Sequence, residues 1–238
     1  MGYEAVIKKF FPLLYTEVDF VKETYSRLKA LGFAYDNTIA ATCICRDEIS
    51  QSLRSVVKHI WGEAFNLSSL GGMFFAGRTG LLAAMHHAPI VESKEHYVFY
   101  AFAHIAIDSE GKIGVCRRTG RDTESIACGA LNALQKELVG GKVNLTMDNE
   151  DIEQSLLRMR LLREIPYGHV PDLLELTKLT QKVIETDLSN ILKSVVETNN
   201  NDYAVLTGIQ IHSSNVTYIW PGTCYAVVNG EKKEIELK

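Results

Sequence analysis

Thr38-Ile39-Ala40-Ala41-Thr42-Cys43-Ile44 runs directly into Cys45-Arg46-Asp47-Glu48. The first seven residues are apolar or β-branched, as suits a buried strand. The next four set a thiol, a cation and carboxylates where that strand gives way to a helix. In open α/β sheets ligands bind at such strand ends. The helix is predicted over 48–61, with Ile49, Leu53, Val56, Val57 and Ile60 on one face and Gly62 at its end.

Working outward, residues 1–31 carry apolar residues at helical spacing (Val18, Val21, Tyr25, Leu28, Leu31) before Gly32, so 1–35 reads as an N-terminal helical segment. Four glycines between Leu70 and Gly80 imply tight turns or close backbone approach, and 80–87 reads as a short helix. Tyr97 through Ile107 is almost wholly apolar, as in a strand buried on both faces. A helix is predicted from Ser125 through Leu138, with Cys128 in its first turn, and Gly140-Gly141 ends it. Two more helices are expected over 150–164 and 171–198. Strands follow at 203–212 and 216–228, and Asn229-Gly230 signals a tight hairpin to 232–237. The pattern predicts an α/β fold in one domain, 1–238. Its mixed, largely parallel sheet is flanked by helices, with 150–198 as an extra helical layer and an antiparallel hairpin at the C-terminus.

The 46% hydrophobic and 23% charged residues of this 238-residue chain are ordinary for a globular domain. A formal net charge of −4 argues against gripping nucleic acid. No apolar run approaches the ~20 residues of a membrane span, and the first residues lack a signal-peptide pattern. The expected location is the cytosol, an organelle stroma, or the mature part of something longer. Five cysteines with irregular spacing argue against a disulfide framework. Cys43, Cys116 and Cys224 read as plain burial.

The sharpest constellation is a metal site of Cys45, His104 and Cys128. Zinc takes thiolate and imidazole ligands, and a catalytic zinc keeps a fourth position open. Cys45 lies at a strand-to-helix turn, His104 late in a buried strand and Cys128 at a helix N-terminus, where the dipole favours thiolate. A core histidine is the alternative for His104. A helix end is the alternative for His86-His87. Arg117-Arg118-Thr119-Gly120-Arg121 is either an anion-binding loop or a solvated turn.

Read in order, Asp36-Asn37-Thr38-Ile39-Ala40, Cys45-Arg46-Asp47-Glu48, the Gly71-Gly72 loop with Thr79-Gly80, His87-x-Pro89, His104-Ile105-Ala106-Ile107-Asp108, Cys128-Gly129-Ala130-Leu131 and the tail from Leu206 to His212 resemble the low-CO2-inducible B/C family, a relative of the β-type carbonic anhydrases. The resemblance spans about residues 10–230. It implies a β-carbonic-anhydrase-like fold, a homodimer or higher homo-oligomer, and one Zn2+ held by Cys45, His104 and Cys128. It also implies reversible hydration of carbon dioxide to bicarbonate. Asp47 matches the aspartate of an Asp–Arg dyad. The arginine normally found two residues later is Ile49 here, so Arg46 is the first candidate and Arg121 the second. Arg121, His87, Phe74 and Phe75 are candidate substrate-binding residues, the two phenylalanines as an apolar wall or simply as core. The rival readings are a catalytically silent zinc protein in inorganic carbon handling and a thiol enzyme with Cys45 as nucleophile.

Overall fold

The computed structural model describes residues 3–118, 120, 123–198, 200–214 and 216–237. In chain order the elements are α1 (Tyr3–Ile7), β1 (Tyr15–Thr16), α2 (Glu17–Lys29), β2 (Thr38–Cys43), α3 (Gln51–Trp61), β3 (Ala64–Asn66), α4 (Gly77–Met85), β4 (Ile90–Val91), β5 (Lys94–Ala106), β6 (Val115–Cys116), β7 (Ser125–Ile126), α5 (Gly129–Gly140), α6 (Ile152–Leu162), α7 (Leu173–Val195), β8 (Asn201–His212), β9 (Thr217–Val228) and β10 (Glu231–Glu234).

β5 is the axis of the main sheet. Its last eleven residues are buried. It pairs in parallel with β2 on one side and β8 on the other. β3 extends the parallel part beyond β2. β9 runs antiparallel to β8, and β1 and β10 pair with β9. The order is β1-β9-β8-β5-β2-β3, so the expected mixed sheet and C-terminal antiparallel hairpin are both present. Asn229 and Gly230 turn that hairpin with φ of 51° and 80°, as a two-residue turn between twisted strands requires.

Strand alternation divides the core in two. Val98, Tyr100 and Phe102 point to one face, where Phe20, Val21 and Leu28 of α2 and Leu53, Val57 and Trp61 of α3 cover them. Each large side chain so buried contributes about 1.5–3 kcal/mol. The Trp61 indole N–H donates to the Tyr100 hydroxyl at 2.9 Å, so the polar ends of this layer are paired as well. Phe99, Ala101, Ala103 and Ile105 point to the other face, under Leu131 and Leu134 of α5, Leu157 and Leu161 of α6, and Ile184 and Leu188 of α7. The helical layer expected over 150–198 is therefore α6 and α7.

Three boundaries differ from the sequence reading. Residues 1–31 are not one helix: α1 stops at Ile7, and Pro12, which has no N–H to donate, lies in the irregular stretch before β1. The Thr16 hydroxyl caps α2 by accepting from Asp19 N at 3.1 Å. The short helix expected at 80–87 begins earlier, at Gly77. The helix expected from Ser125 begins at Gly129, because 125–126 pair with β6 and make Cys128 the N-cap.

Glu17, at the start of α2, is a buried carboxyl at 7% exposure. It accepts hydrogen bonds from Gln210 Nε2 at 2.9 Å and Ser52 Oγ at 3.0 Å. Burial pushes it up from 4.5 to about 7 despite those bonds. A carboxyl raised on folding contributes stability that is complete below its unfolded pKa and is lost as the pH rises through about 7. Glu17→Gln, which cannot ionise, is expected to gain on the wild type between pH 5 and pH 8 by an amount on the order of 2–3 kcal/mol. Urea unfolding at the two pH values measures this, and a pH-independent difference contradicts it.

Candidate metal centre

Where β2 stops at Cys43, β5 continues for five residues. Two segments close on that extension. On leaving β2 the chain still pairs with the stretch after β3: Leu67 N donates to Thr42 O at 2.8 Å, Ser69 N to Ile44 O and Arg46 N to Ser69 O, both at 3.2 Å. This fixes Cys45. Further along, Ala106 N donates to Ala127 O at 3.1 Å, and Ala127 N donates to Gly114 O at 3.0 Å. This fixes Cys128 beside the end of β5. Gly72 closes the floor. Its φ is +75°, and a Cβ there would collide with the carbonyl oxygen of Phe102.

Cys45, His104 and Cys128 thus converge, each at most 2% exposed, with one ligand atom from each within 4.8 Å of the others. The two sulfurs are 3.9 Å apart. Tetrahedral zinc with Zn–S bonds of 2.3 Å sets its sulfurs about 3.8 Å apart. His104 Nδ1 lies 3.2 Å from His212 Nε2, while His104 Nε2 is buried with no hydrogen-bond partner among the described residues. A buried unpaired imidazole nitrogen beside two thiols calls for a cation. The donor set fits Zn2+.

Electrostatics favour the thiolate at Cys45 and oppose it at Cys128. The Cys45 thiol is pulled down to about 4, first by its hydrogen bond with Cys128 and then, against burial, by His104. Cys128 is pushed up by that same bond and by burial, while the N–H groups of Ala130 and Leu131 at the start of α5 oppose the rise.

Asp47 faces the cleft outside the three ligands. Arg118 Nη1 donates to its Oδ1 at 3.0 Å and Nη2 to its Oδ2 at 2.9 Å, a bidentate fork. Arg118 also pairs with Glu48. Burial pushes the Asp47 carboxyl up, but the Arg118 bonds and the charges of His104 and Arg118 outweigh it and hold it below the usual range.

Arg46, the first candidate for this pairing, does not make it. Its guanidinium turns to Glu153 of α6, with Nη2–Oε1 at 2.6 Å and Nε–Oε2 at 3.0 Å. Glu153 Oε2 also accepts from Leu70 N at 2.9 Å. The physical reason is that successive side chains on a near-extended backbone diverge, so Arg46 cannot fold back onto Asp47. The second candidate, Arg121, lies outside the described residues. Arg118 stands in the same basic loop, Arg117-Arg118-Thr119-Gly120-Arg121, which was the only signal for it.

The cleft over these groups measures about 770 Å³. Its lining includes Arg46, Asp47 and Arg118, with Leu70, Ile126 and Ala130 as apolar surface. The candidate wall of Phe74 and Phe75 is not part of it among the described residues. Phe74 is core at 8% exposure and Phe75 packs against that core. His87 sits exposed at the end of α4, its ring centroid 5.4 Å from that of Phe65.

A family model for limiting CO2-inducible proteins B/C beta carbonic anhydrases matches residues 14–228. The chain belongs to this family. The limiting CO2-inducible match spans every element from β1 to β9, and so the whole centre. The crystal structure of limiting CO2-inducible protein LCIB is 36% identical, with 99% of each chain covered and a TM-score of 0.81. That of PtLCIB4, a homologue of LCIB, is 24% identical, covers 97% of this chain and 98% of its own, and has a TM-score of 0.85. No curated protein matches in sequence.

The pairing at the cleft is testable by double-mutant cycles. Arg118→Ala and Asp47→Asn should be non-additive in urea unfolding by about 1–3 kcal/mol. Arg46→Ala with Asp47→Asn should be additive within about 0.5 kcal/mol. The opposite ranking restores Arg46 as the partner.

Proposed function

We propose that this chain is a zinc-dependent carbonic anhydrase that interconverts carbon dioxide and bicarbonate. The observation that carries the reading is the convergence of Cys45, His104 and Cys128 at the base of a cleft whose next polar group is an arginine-clamped carboxylate. Cys45, His104 and Cys128 would hold Zn2+, which supplies the Lewis acidity that makes a water nucleophilic near neutral pH.

The chain's own groups do the rest. Both Asp47 oxygens are engaged by Arg118, and Oδ1 also accepts from Ile49 N at 3.4 Å. This leaves the carboxylate ionised and fixed in direction. An ionised carboxylate has about four acceptor positions, so after the Arg118 fork it can still accept the O–H of a reacting water and orient it. Held by this clamp, Asp47 would be kept from serving as a further ligand to Zn2+. Leu70, Ile126 and Ala130 offer an apolar approach for carbon dioxide. The guanidiniums of Arg118 and Arg46 at the same rim make the product anion welcome. His87, Phe74 and Phe75 have no part in this reading.

Family resemblance makes a homodimer the expected assembly, in the cytosol or an organelle stroma. No described helix is long and apolar enough to cross a membrane.

Purified protein should carry one zinc per chain and accelerate carbon dioxide hydration in stopped flow. Cys45→Ser should lose both zinc and activity. Asp47→Asn should keep zinc while slowing hydration by about 10²-fold or more. Stoichiometric zinc with hydration at the background rate removes the enzyme and leaves a silent zinc protein. Zinc retained by Cys45→Ser removes the ligand assignment.

A further inference from the structure

His212 ends β8 beside the end of β5, where Ala106 and His212 are register partners. Alternation along β8 places Gly208, Gln210 and His212 on one face, the face His104 occupies on β5. The two polar side chains there have separate tasks. Gln210 is held by Glu17 and by the carbonyl of Ser50, at 2.9 and 3.1 Å. His212, 3% exposed, meets His104 instead: its Nε2 lies 3.2 Å from His104 Nδ1, and its Nδ1 lies 3.1 Å from Thr217 Oγ1. The rings are tilted by 73° with centroids 5.3 Å apart. They therefore meet through nitrogen rather than by stacking.

We infer that His212, itself held by Thr217, is the positioning residue of the metal centre, accepting the Nδ1 proton of His104 and so aiming its Nε2 at the ion. The inference rests on the zinc reading above and adds a residue to it. A histidine that offers Nε2 to a metal carries its proton on Nδ1 and must donate it to something. Among the described residues, the acceptor at that position is His212 Nε2. That lone pair is available only when His212 carries its own proton on Nδ1, and Thr217 Oγ1 stands where that proton can be donated. With the ion on His104 Nε2, the row Thr217–His212–His104 carries its protons in one direction, from His104 Nδ1 to His212 Nε2 and from His212 Nδ1 to Thr217 Oγ1. A metal-bound histidine commonly donates to a carboxylate or a carbonyl. An uncharged imidazole in that place orients the ligand without adding negative charge behind a centre that already has two thiolates.

The test is zinc affinity of the full chain, read by competition with a chromophoric chelator and with circular dichroism as the control for folding. His212→Phe keeps a planar ring and removes the acceptor, and should weaken zinc binding about 10–100-fold. His212→Gln offers an amide oxygen near the place of Nε2 and should stay within about threefold of the wild type. A packing role alone would make Gln the worse replacement. Wild-type affinity in a folded His212→Phe, or a larger loss for Gln than for Phe, overturns the inference. Should His212→Phe fail to fold, Thr217→Val carries the test: a measurable loss of affinity supports the row and an unchanged affinity overturns it. Wild-type protein that takes up no zinc in the same titration fails differently, since it removes the metal reading on which the inference stands.

Discussion

Backbone hydrogen bonding along the last five residues of β5 is the constraint on which the site depends. Up to Ala101 that strand has β2 beside it. Beyond, Gly72 packs against the Phe102 carbonyl, Ala103 N donates to Gln181 Oε1 of α7 at 3.0 Å, and Ala106 N donates to Ala127 O. Buried backbone groups must be paired: satisfying Ala106 N brings Cys128 to this strand end, while the pairing of 42–46 with 67–69 brings Cys45 there. His104 lies between, on the strand itself. Three ligands far apart in sequence are thus gathered by the rule that closes a sheet edge, and β8 on the other side supplies His212 by the same register.

Charge is then arranged in two tiers. The inner tier is buried and sulfur-rich, with Cys45 drawn toward thiolate. The outer tier is the Arg118 fork on Asp47, which fixes both carboxylate oxygens at the mouth of the cleft. Arg46 belongs to neither. By bridging to Glu153, which also accepts from Leu70 N, it ties α6 to the loop that follows β3. Side-chain exposure of 59% for Arg46 against 18% for Arg118 marks the difference between a rim contact and a clamp.

The long elements were legible because their patterns extend over many residues. The run from Tyr97 to Ile107 could only be a strand covered on both faces, and Asn229-Gly230 could only turn a hairpin. Elements of two or three residues, such as β3, β6 and β7, are too short to show a period, and they set the start of α5 and the position of Cys128. The three metal-ligand candidates stand at strand and helix ends, but as one ligand set they rested on the family resemblance, because the residues alone left a core histidine and plainly buried cysteines open. The partner of Asp47 was not legible. Arg46 is adjacent in sequence, but adjacency on an extended chain separates side chains, and Arg118 arrives from a loop after β5 that no local pattern aims. Phe74 and Phe75 could be read two ways for a related reason: apolar composition fits a core as well as a pocket, and the structure places Phe74 in the core with Phe75 packed against it.

The central claim is that two sulfurs and one imidazole share a single ion. X-ray absorption at the zinc edge of the purified protein tests it most directly. The account predicts two sulfur neighbours near 2.3 Å and one imidazole nitrogen near 2.0–2.1 Å, with a light atom completing a four-coordinate shell. A shell of nitrogen and oxygen alone, or one with a single sulfur, would contradict it.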